Sequence, residues 1–185
     1  MTWLISDRPD AALVQAVLSG EVEAFNALIR RWERKIYTYL VHLTRQPEDS
    51  FDLCQEVFVS AYRHLGRLQD REKFSSWLFR IAHNAAYSYL REARSPAAVL
   101  SENEAAGTPA ETGAGNRPGW ERVELKLLVE KALGSLPLEQ REAIILKVYQ
   151  GFKFSEIAEI QSCPPSTIKT RVYTGFQQLK KLIES

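Results

Sequence analysis

The stretch from residue 21 to residue 45, EVEAFNALIRRWERKIYTYLVHLTR, decides the class of fold. Its apolar side chains recur every three or four residues, which is the spacing of one face of an α-helix. They are Val22, Phe25, Ile29, Trp32, Ile36, Tyr39 and Leu43. No segment of the chain alternates polar and apolar residues with period two, so strands are not expected. The sequence therefore predicts an all-α protein.

Helices are predicted along most of the remaining chain, because apolar residues keep this spacing and glycine or proline marks the ends. Before the opening stretch, a short helix from Asp10 to Ser19 is closed by Gly20. After Pro47, a third helix ends at Gly66, and a fourth runs from Phe74 to about Arg94. The predicted C-terminal helices cover residues 120–133, 137–149, 155–160 and 165–183.

One segment between these helices differs in composition. Residues 95–119 contain three prolines, four glycines and no aromatic residue. Such a segment buries too little apolar surface to offset the entropy of ordering, so we expect a flexible linker. The chain is thereby predicted to form two small helical bundles, an N-terminal one over 1–94 and a C-terminal one over 120–185, joined by the linker 95–119.

Composition and charge exclude several classes of protein. The 185 residues carry 24 Lys and Arg against 23 Asp and Glu, a net charge of +1, and 45% are apolar. A strongly cationic nucleic-acid binder and an acidic disordered chain are both excluded. No apolar run approaches the roughly 20 residues that span a bilayer. Polar residues follow Met1–Ile5 at once, so no signal peptide is expected.

Metal, cofactor and catalytic motifs are not found in the sequence. Cys54 and Cys163 lie far apart, with no ligand spacing to a histidine, which favours a reduced, cytoplasmic protein without zinc or disulfides. The three histidines, at 42, 64 and 83, have no carboxylate or cysteine at ligand spacing. Phosphate-binding loops and hydrolase motifs are also absent, so neither a cofactor nor an enzyme is supported.

The last two predicted helices have the pattern of a helix-turn-helix. A short helix over 155–160 is followed by the turn Ser162-Cys163-Pro164 and a longer helix from Pro165. In such a unit the second helix enters the major groove of DNA with its first turns. The candidate contacts are Ser166, Thr167, Lys169, Thr170, Arg171 and Tyr173. The alternative is a helical hairpin with a solvated basic face, and spacing alone does not decide between them.

A second candidate site lies in the third predicted helix. Asp52, Gln55 and Glu56 are three and four residues apart, so they share one helical face. This acidic, amide-bearing face suits a basic partner helix. Taken alone, the pattern is more typical of an ordinary solvated face.

A third candidate site is the aromatic and basic stretch from Phe74 to Tyr87. Lys73, Arg80, His83 and Asn84 recur at helical spacing, interleaved with Phe74 and Trp77. Aromatic faces stack on unpaired bases, and arginine or lysine follows the phosphate backbone. The alternative is that Phe74 and Trp77 belong to the core.

Five segments in this order resemble the second and fourth conserved regions of a bacterial sigma factor of the extracytoplasmic function (ECF) type. They are AFNALIRRW (24–32), DLCQEVF (52–58), FSSWLFRIAHN (74–84), LPLEQRE (136–142) and FSEIAEI (154–160). The resemblance covers nearly the whole chain apart from the linker and the first residues. It departs from the family at Ser162, where glycine is usual, and at the uncharged segment 174–178, where Gly175 weakens a helix by about 1 kcal/mol.

The resemblance implies three partners and a set of contacts with each. The partners are core RNA polymerase (its β′ clamp helices and β flap), promoter DNA and an anti-sigma factor. Docking on the clamp helices is implied for Asp52, Leu53, Gln55, Glu56 and Phe58. Contact with the melted −10 element, including a flipped base held by the loop around Lys73, is implied for Lys73, Phe74, Trp77, Arg80, His83 and Asn84. Contact with the −35 element is implied for Ser166, Thr167, Lys169, Thr170, Arg171 and Tyr173.

Three functions remain distinguishable by experiment. A transcription initiation factor acts only with core polymerase. A conventional DNA-binding regulator binds paired half-sites about one helical turn apart without polymerase. A helical enzyme or interaction module would keep its activity after loss of Lys169 and Arg171.

Overall fold

The computed structural model describes residues 7–93 and 128–184, and all regular structure in these two ranges is helical. The linker predicted over 95–119 and the first part of the helix predicted over 120–133 lie outside them. The helices are α1 (Asp10–Leu18), α2 (Val22–Thr44), α3 (Pro47–His64), α4 (Phe74–Ala93), α5 (described over 128–134), α6 (Leu138–Ile144), α7 (Phe154–Ile160) and α8 (Pro165–Glu184). The all-α prediction is confirmed, and the described residues fall into two compact units, one formed by residues 7–93 with Glu159–Gln161 and the other by the rest of 128–184.

The core of the N-terminal unit forms around α2. Phe25, Ile36 and Tyr39 of the predicted stripe are buried, whereas Val22 at its start is exposed. The Tyr39 ring meets the ring of Phe79 from α4 edge to face, with centroids 5.1 Å apart. The stripe therefore holds α4 against α2 through aromatic contacts that add to simple burial.

Polar contacts fix α1 against α2. The Trp32 indole Nε1 donates a hydrogen bond to Asp10 Oδ2 at 3.1 Å, and the Arg31 guanidinium pairs with the other oxygen of the same carboxylate. Arg31 Nη2 also donates to the Arg8 carbonyl oxygen at 2.7 Å. Asp10, at the start of α1, thus ties this short helix to α2 in addition to the burial of Leu13 and Val14.

A sharp turn joins α2 to α3. Arg45 adopts the left-handed conformation, with φ 62°, after the last residue of α2. Pro47 is the first residue of α3, where its missing N–H has no helical partner in any case. The buried Thr44 and Ser50 hydroxyls are 2.8 Å apart, and Ser50 Oγ donates to the Gln46 carbonyl at 2.6 Å, which satisfies the polar groups of the turn.

The C-terminal unit packs α6 against α8 at close range. Gly175 of α8 lies opposite Ile144 of α6, and a Cβ added to Gly175 would lie 2.7 Å from Ile144 Cδ1. The buried cluster beside this contact consists of Ala132, Leu133, Leu136, Ile144 and Leu179. From the sequence alone, Gly175 is expected only to weaken its helix. The structure shows that the residue also permits the close approach of two helices.

The helix predicted from Pro137 is not uniform. It is α-helical over Leu138–Ile144 and continues as a π-helical turn over Ile145–Tyr149, with the Gln150 amide donating to the Ile145 carbonyl at 3.2 Å. Gly151, with φ 76°, follows the turn. In a π turn each backbone hydrogen bond spans one more residue than in an α-helix. The spacing of apolar residues in the sequence does not reveal this difference.

Candidate functional site

The face predicted on α3 is present and partly apolar. Asp52, Gln55 and Glu56 are exposed, while Leu53 and Phe58 are buried, with 8% and 7% of their surface exposed. The two buried side chains support the helix from inside and offer no surface to a partner. Sequence reasoning missed the exposed apolar residues that border the acidic ones on the same helix, namely Phe51, Val59 and Tyr62.

Cys54 is the buried neighbour of this face. Its thiol lies 3.8 Å from the Glu33 carbonyl oxygen. Burial, with a smaller contribution from the negative charge of Glu33, raises the pKa of the Cys54 thiol to about 11. The thiol is therefore protonated at neutral pH and acts as a packing group.

A groove of about 570 Å³ runs between α3 and α4. Trp77, Arg80 and Asn84 of the predicted −10 set meet here on α4. Sequence reasoning missed several of the residues opposite them, although their spacing of four on α3 gives them a common face. The polar and aromatic lining comprises Glu56, Ser60, His64, Arg67, Trp77, Arg80, Asn84 and Ser88.

The cationic groups of the groove are open to a ligand. Among the residues that the structure describes, neither the Arg67 nor the Arg80 guanidinium forms an ion pair. Both side chains are exposed. The Trp77 ring is half-buried beside Phe74, with centroids 6.0 Å apart. The groove thus combines an aromatic face, an amide and two guanidiniums, which is the combination that binds single-stranded nucleic acid.

Three members of the predicted −10 set lie outside this lining. Phe74 is fully buried, with 0% exposed, so its ring cannot stack on a base. His83 is half-buried, and its ring lies 4.1 Å from the Tyr87 ring. Lys73 is exposed at the end of the 3₁₀ turn Arg71–Lys73, directly before α4.

The loop that leads to Lys73 borders a second cleft. This cleft has a volume of about 540 Å³ and is lined by Ala11, Ala12, Gln15 and the loop residues Gln69–Glu72. Asp70 Oδ1 accepts a hydrogen bond from the Glu72 amide at 3.1 Å, which caps the 3₁₀ turn. Loop residues therefore line both cavities, Arg67 the groove and Gln69–Glu72 the cleft.

The helix-turn-helix is present in α7 and α8. Four small or apolar residues of these helices, Ile157, Ala158, Ile168 and Val172, are buried and hold the two helices together. The turn contains Ser162 in the left-handed conformation, with φ 51°, and the Cys163 amide donates to the Ala158 carbonyl at 3.1 Å. The left-handed φ explains why glycine suits this position.

The first turns of α8 present most of the predicted DNA contacts. Ser166, Lys169, Thr170 and Tyr173 are exposed, and Thr167 is half-buried. Arg171 is also half-buried, and its Nη1 donates to Cys163 Sγ at 3.5 Å. The turn thereby holds one end of the guanidinium in place.

Within residues 7–93 and 128–184, no group of three or more His, Cys, Asp or Glu side chains is placed to hold a metal ion. In the same ranges, no helix has the length and apolar character needed to cross a membrane.

The family models match both units. Residues 28–95 match Sigma-70 region 2, and residues 126–179 match Sigma-70, region 4. The first range contains α3 and α4 with their groove, and the second contains the helix-turn-helix. The class of protein that the fold and these matches define is a sigma factor with regions 2 and 4.

Comparison with known proteins narrows the class. The chain is 32% identical to the ECF RNA polymerase sigma-E factor of Escherichia coli (strain K12), over 95% of this chain and 94% of that protein. It is 31% identical to the ECF sigma-E factor of Haemophilus influenzae (95% of each chain) and 27% identical to the sigma-H factor of Pseudomonas aeruginosa (98% of this chain, 97% of that protein). The chain belongs to the ECF sigma factor family.

Two solved structures have the same fold. RpoE of Bartonella quintana, solved with the anti-sigma factor NepR, matches with a TM-score of 0.69 and 27% identity, over 86% of this chain and 96% of that chain. CnrH, solved with the cytosolic domain of CnrY, matches with a TM-score of 0.70 and 24% identity, over 95% and 97%. The likeness to CnrH supports the fold.

Proposed function

We propose that this chain binds core RNA polymerase and directs it to promoter DNA, without a catalytic site of its own. The observation that carries the proposal is the α3–α4 groove, in which Trp77, Asn84 and two guanidiniums without ion pairs among the described residues face one cavity. An initiation factor must hold an unpaired strand, and stacking with amide contacts offsets an unpairing cost of a few kcal/mol.

The exposed face of α3 is the proposed docking surface for the β′ clamp helices of polymerase. Asp52, Gln55 and Glu56 supply the polar contacts, and the adjacent exposed Phe51 supplies apolar area. Leu53 and Phe58 act indirectly, because their burial fixes the rotation of α3 in the bundle. A polar rim with an aromatic anchor is the usual composition of a protein interface.

The groove is the proposed site for the melted −10 element. Trp77 offers its ring for stacking, Arg80 contacts phosphate, and Asn84 forms hydrogen bonds with a base edge. His83 lies on α4 and Lys73 directly before it, and both extend the contact beyond the groove. Phe74 packs behind Trp77 and holds its ring in place.

The first turns of α8 are the proposed site for the −35 element in the major groove. Lys169, Thr170 and Tyr173 are exposed in the first turns of α8, together with Ser166. Thr167 and Arg171 complete the set, and the contact of Arg171 with Cys163 Sγ directs the guanidinium. The remaining surface of this unit is the proposed contact with the β flap.

Control by an anti-sigma factor is part of the proposal. The related RpoE of Bartonella quintana was solved in complex with such a factor, NepR. The exposed Phe51, Val59 and Tyr62 of α3 provide apolar area that a regulator can cover while blocking the docking surface. We further propose cytoplasmic action and the domain boundaries 1–94, 95–119 and 120–185.

A gel shift with and without core polymerase tests the proposal. The promoter of the protein's own gene should be shifted strongly by the chain with core polymerase and weakly by the chain alone. Tight binding without polymerase, on half-sites about one helical turn apart, would favour a conventional regulator instead. A folded chain that fails to bind core polymerase would contradict the proposal.

A further inference from the structure

The groove between α3 and α4 contains a histidine with a defined tautomer. His64 is the last residue of α3, and its Nδ1 lies 2.9 Å from the Ser60 carbonyl oxygen. A carbonyl oxygen only accepts hydrogen bonds, so Nδ1 carries a hydrogen. Nε2 is therefore the ring nitrogen available to a ligand. It accepts a hydrogen bond when the ring is neutral and donates one when the ring is protonated.

Arg67 lines the groove at the same end. It belongs to the 3₁₀ turn Leu65–Arg67, which follows α3 directly, and its side chain is exposed. The acidic residue of the groove, Glu56, lies eight residues before His64 on α3, which is about 12 Å along the helix. The charge of the groove is thus divided along α3, with a carboxylate at one end and an imidazole and a guanidinium at the other.

We propose that His64 and Arg67 form a subsite for one phosphodiester group of the unpaired DNA strand. The inference rests on the proposed function of the groove and extends it to two residues outside the predicted set. Arg67 supplies a permanent charge, and His64 supplies a second donor, Nε2–H, only as an imidazolium. The distance from Glu56 keeps the phosphate away from the one carboxylate that lines this groove among the residues that the structure describes.

The subsite makes strand binding depend on pH. The charged groups that line the groove around His64 are Glu56 from α3, Arg67 from the 3₁₀ turn and Arg80 from α4. Histidine is the residue type whose charge ordinarily changes between about pH 5 and 8, and His64 is the histidine that lines the groove. Phosphate binds the imidazolium more tightly than the neutral ring, so binding strengthens as the pH falls.

The salt dependence of binding to a fluorescent oligothymidylate tests the subsite with the full chain. Each phosphate contact on single-stranded DNA contributes about 0.7 to the slope of log affinity against log salt. For the wild type we expect a slope steeper by about this amount at about pH 5.5 than at about pH 8. Arg67→Gln should lower the slope by about 0.7 at both pH values. In a His83→Gln background, which removes the other histidine of the proposed strand contacts, His64→Gln should abolish the difference between them.

Matched variants control for general charge and histidine effects. Arg63→Gln removes an exposed guanidinium from α3 that does not line the groove, and His42→Gln removes a histidine of α2. Both should keep the wild-type slopes at both pH values. A measurement that needs no variant is the NMR spectrum of the His64 ring, whose resonances should shift when the oligothymidylate is added, because the ring lines the proposed subsite.

The failures of the two proposals can be distinguished. If the wild type binds the oligonucleotide but His64→Gln keeps the pH effect in the His83→Gln background and Arg67→Gln keeps the slope, the phosphate subsite is wrong and the groove function stands. His64 ring resonances that do not shift on addition of the oligonucleotide would also overturn the subsite. If the wild type binds no single strand at any salt concentration, the proposed groove function fails, and the subsite fails with it.

Discussion

Gly175 of α8 and Ile144 of α6 approach each other so closely that a Cβ on the glycine would lie 2.7 Å from Ile144 Cδ1. The second near neighbour, Gln140 Cβ, would be 3.6 Å away. The absence of a side chain at Gly175 therefore allows α8, the helix with the proposed −35 contacts, to pack on α6. The position of α8 in its unit depends on this contact.

A large side chain at this position should destabilise the C-terminal unit. Gly175→Leu must push α6 and α8 apart, and overpacking of this kind costs about 1–3 kcal/mol. The control is Gln177→Leu, which adds the same side chain at an exposed position two residues away. Thermal unfolding followed by circular dichroism should show a lower Tm for the first variant only. Equal Tm values would contradict the packing role.

The turn of the helix-turn-helix offers a stabilising substitution. Ser162 has φ 51°, a conformation that costs a residue with a Cβ about 1 kcal/mol relative to glycine. Ser162→Gly should therefore raise the stability of the C-terminal unit, by about 0.5 kcal/mol after the entropy of glycine is included. Ser166→Gly, in the first turn of α8, should lower it instead. Chemical denaturation should show a higher free energy of unfolding for Ser162→Gly than for the wild type, and a lower one for Ser166→Gly.

The two cysteines should differ strongly in reactivity. Burial and the nearby Glu33 raise the pKa of Cys54 to about 11, so very little thiolate exists at neutral pH. Cys163 is half-buried in the turn before α8. Iodoacetamide should label Cys163 first in the native chain, and Cys54 only on unfolding or as the pH rises toward its pKa. Mass spectrometry of the labelled peptides measures both rates, and rapid native labelling of Cys54 would contradict the burial.

Promoter use should depend on Arg171 separately from polymerase binding. Arg171→Ala removes a guanidinium from the proposed −35 contacts and should reduce transcription while sparing the complex with core polymerase. One good base contact contributes about 1–3 kcal/mol, so promoter affinity should fall about tenfold or more. Lys181→Ala, an exposed position near the end of the same helix, is the control. A loss of core binding by Arg171→Ala would contradict the separation of roles.

Much of the fold follows from local patterns. The helix predicted over 21–45 is observed over Val22–Thr44, and the one predicted from Phe74 to about Arg94 ends at Ala93. Apolar periodicity with glycine and proline signals was sufficient here because the bundle buries one stripe of each helix. The π turn at Ile145–Tyr149 and the packing role of Gly175 were missed, because both depend on the neighbouring helix.

The candidate sites were predicted less completely than the fold, because they too depend on how the helices pack together. A helical face can be identified from spacing, which correctly placed Asp52, Gln55 and Glu56 on the surface. The depth of a residue below that face depends on tertiary packing, so the burial of Phe74 was not determined by its motif. The groove is formed by two helices, so His64 and Arg67 emerged as its lining only in the folded chain.

The docking surface can be tested by reversing one charge. Asp52 is exposed on α3, so Asp52→Lys should leave the fold intact while placing a like charge against a basic partner helix. Binding to core polymerase should then be lost. Glu23→Lys makes the same charge change at an exposed position on α2 and should bind normally. Binding is measured by co-elution with core polymerase in size-exclusion chromatography.

Run-off transcription with purified core polymerase, starting with the promoter of the protein's own gene and extending across genomic promoters, tests the initiation role most directly. The wild-type chain should produce a specific transcript from a cognate promoter that core polymerase alone does not produce. Asp52→Lys should produce none, and Glu23→Lys should match the wild type. The absence of a wild-type transcript from every promoter, or an undiminished transcript with Asp52→Lys, would contradict initiation through the α3 docking surface.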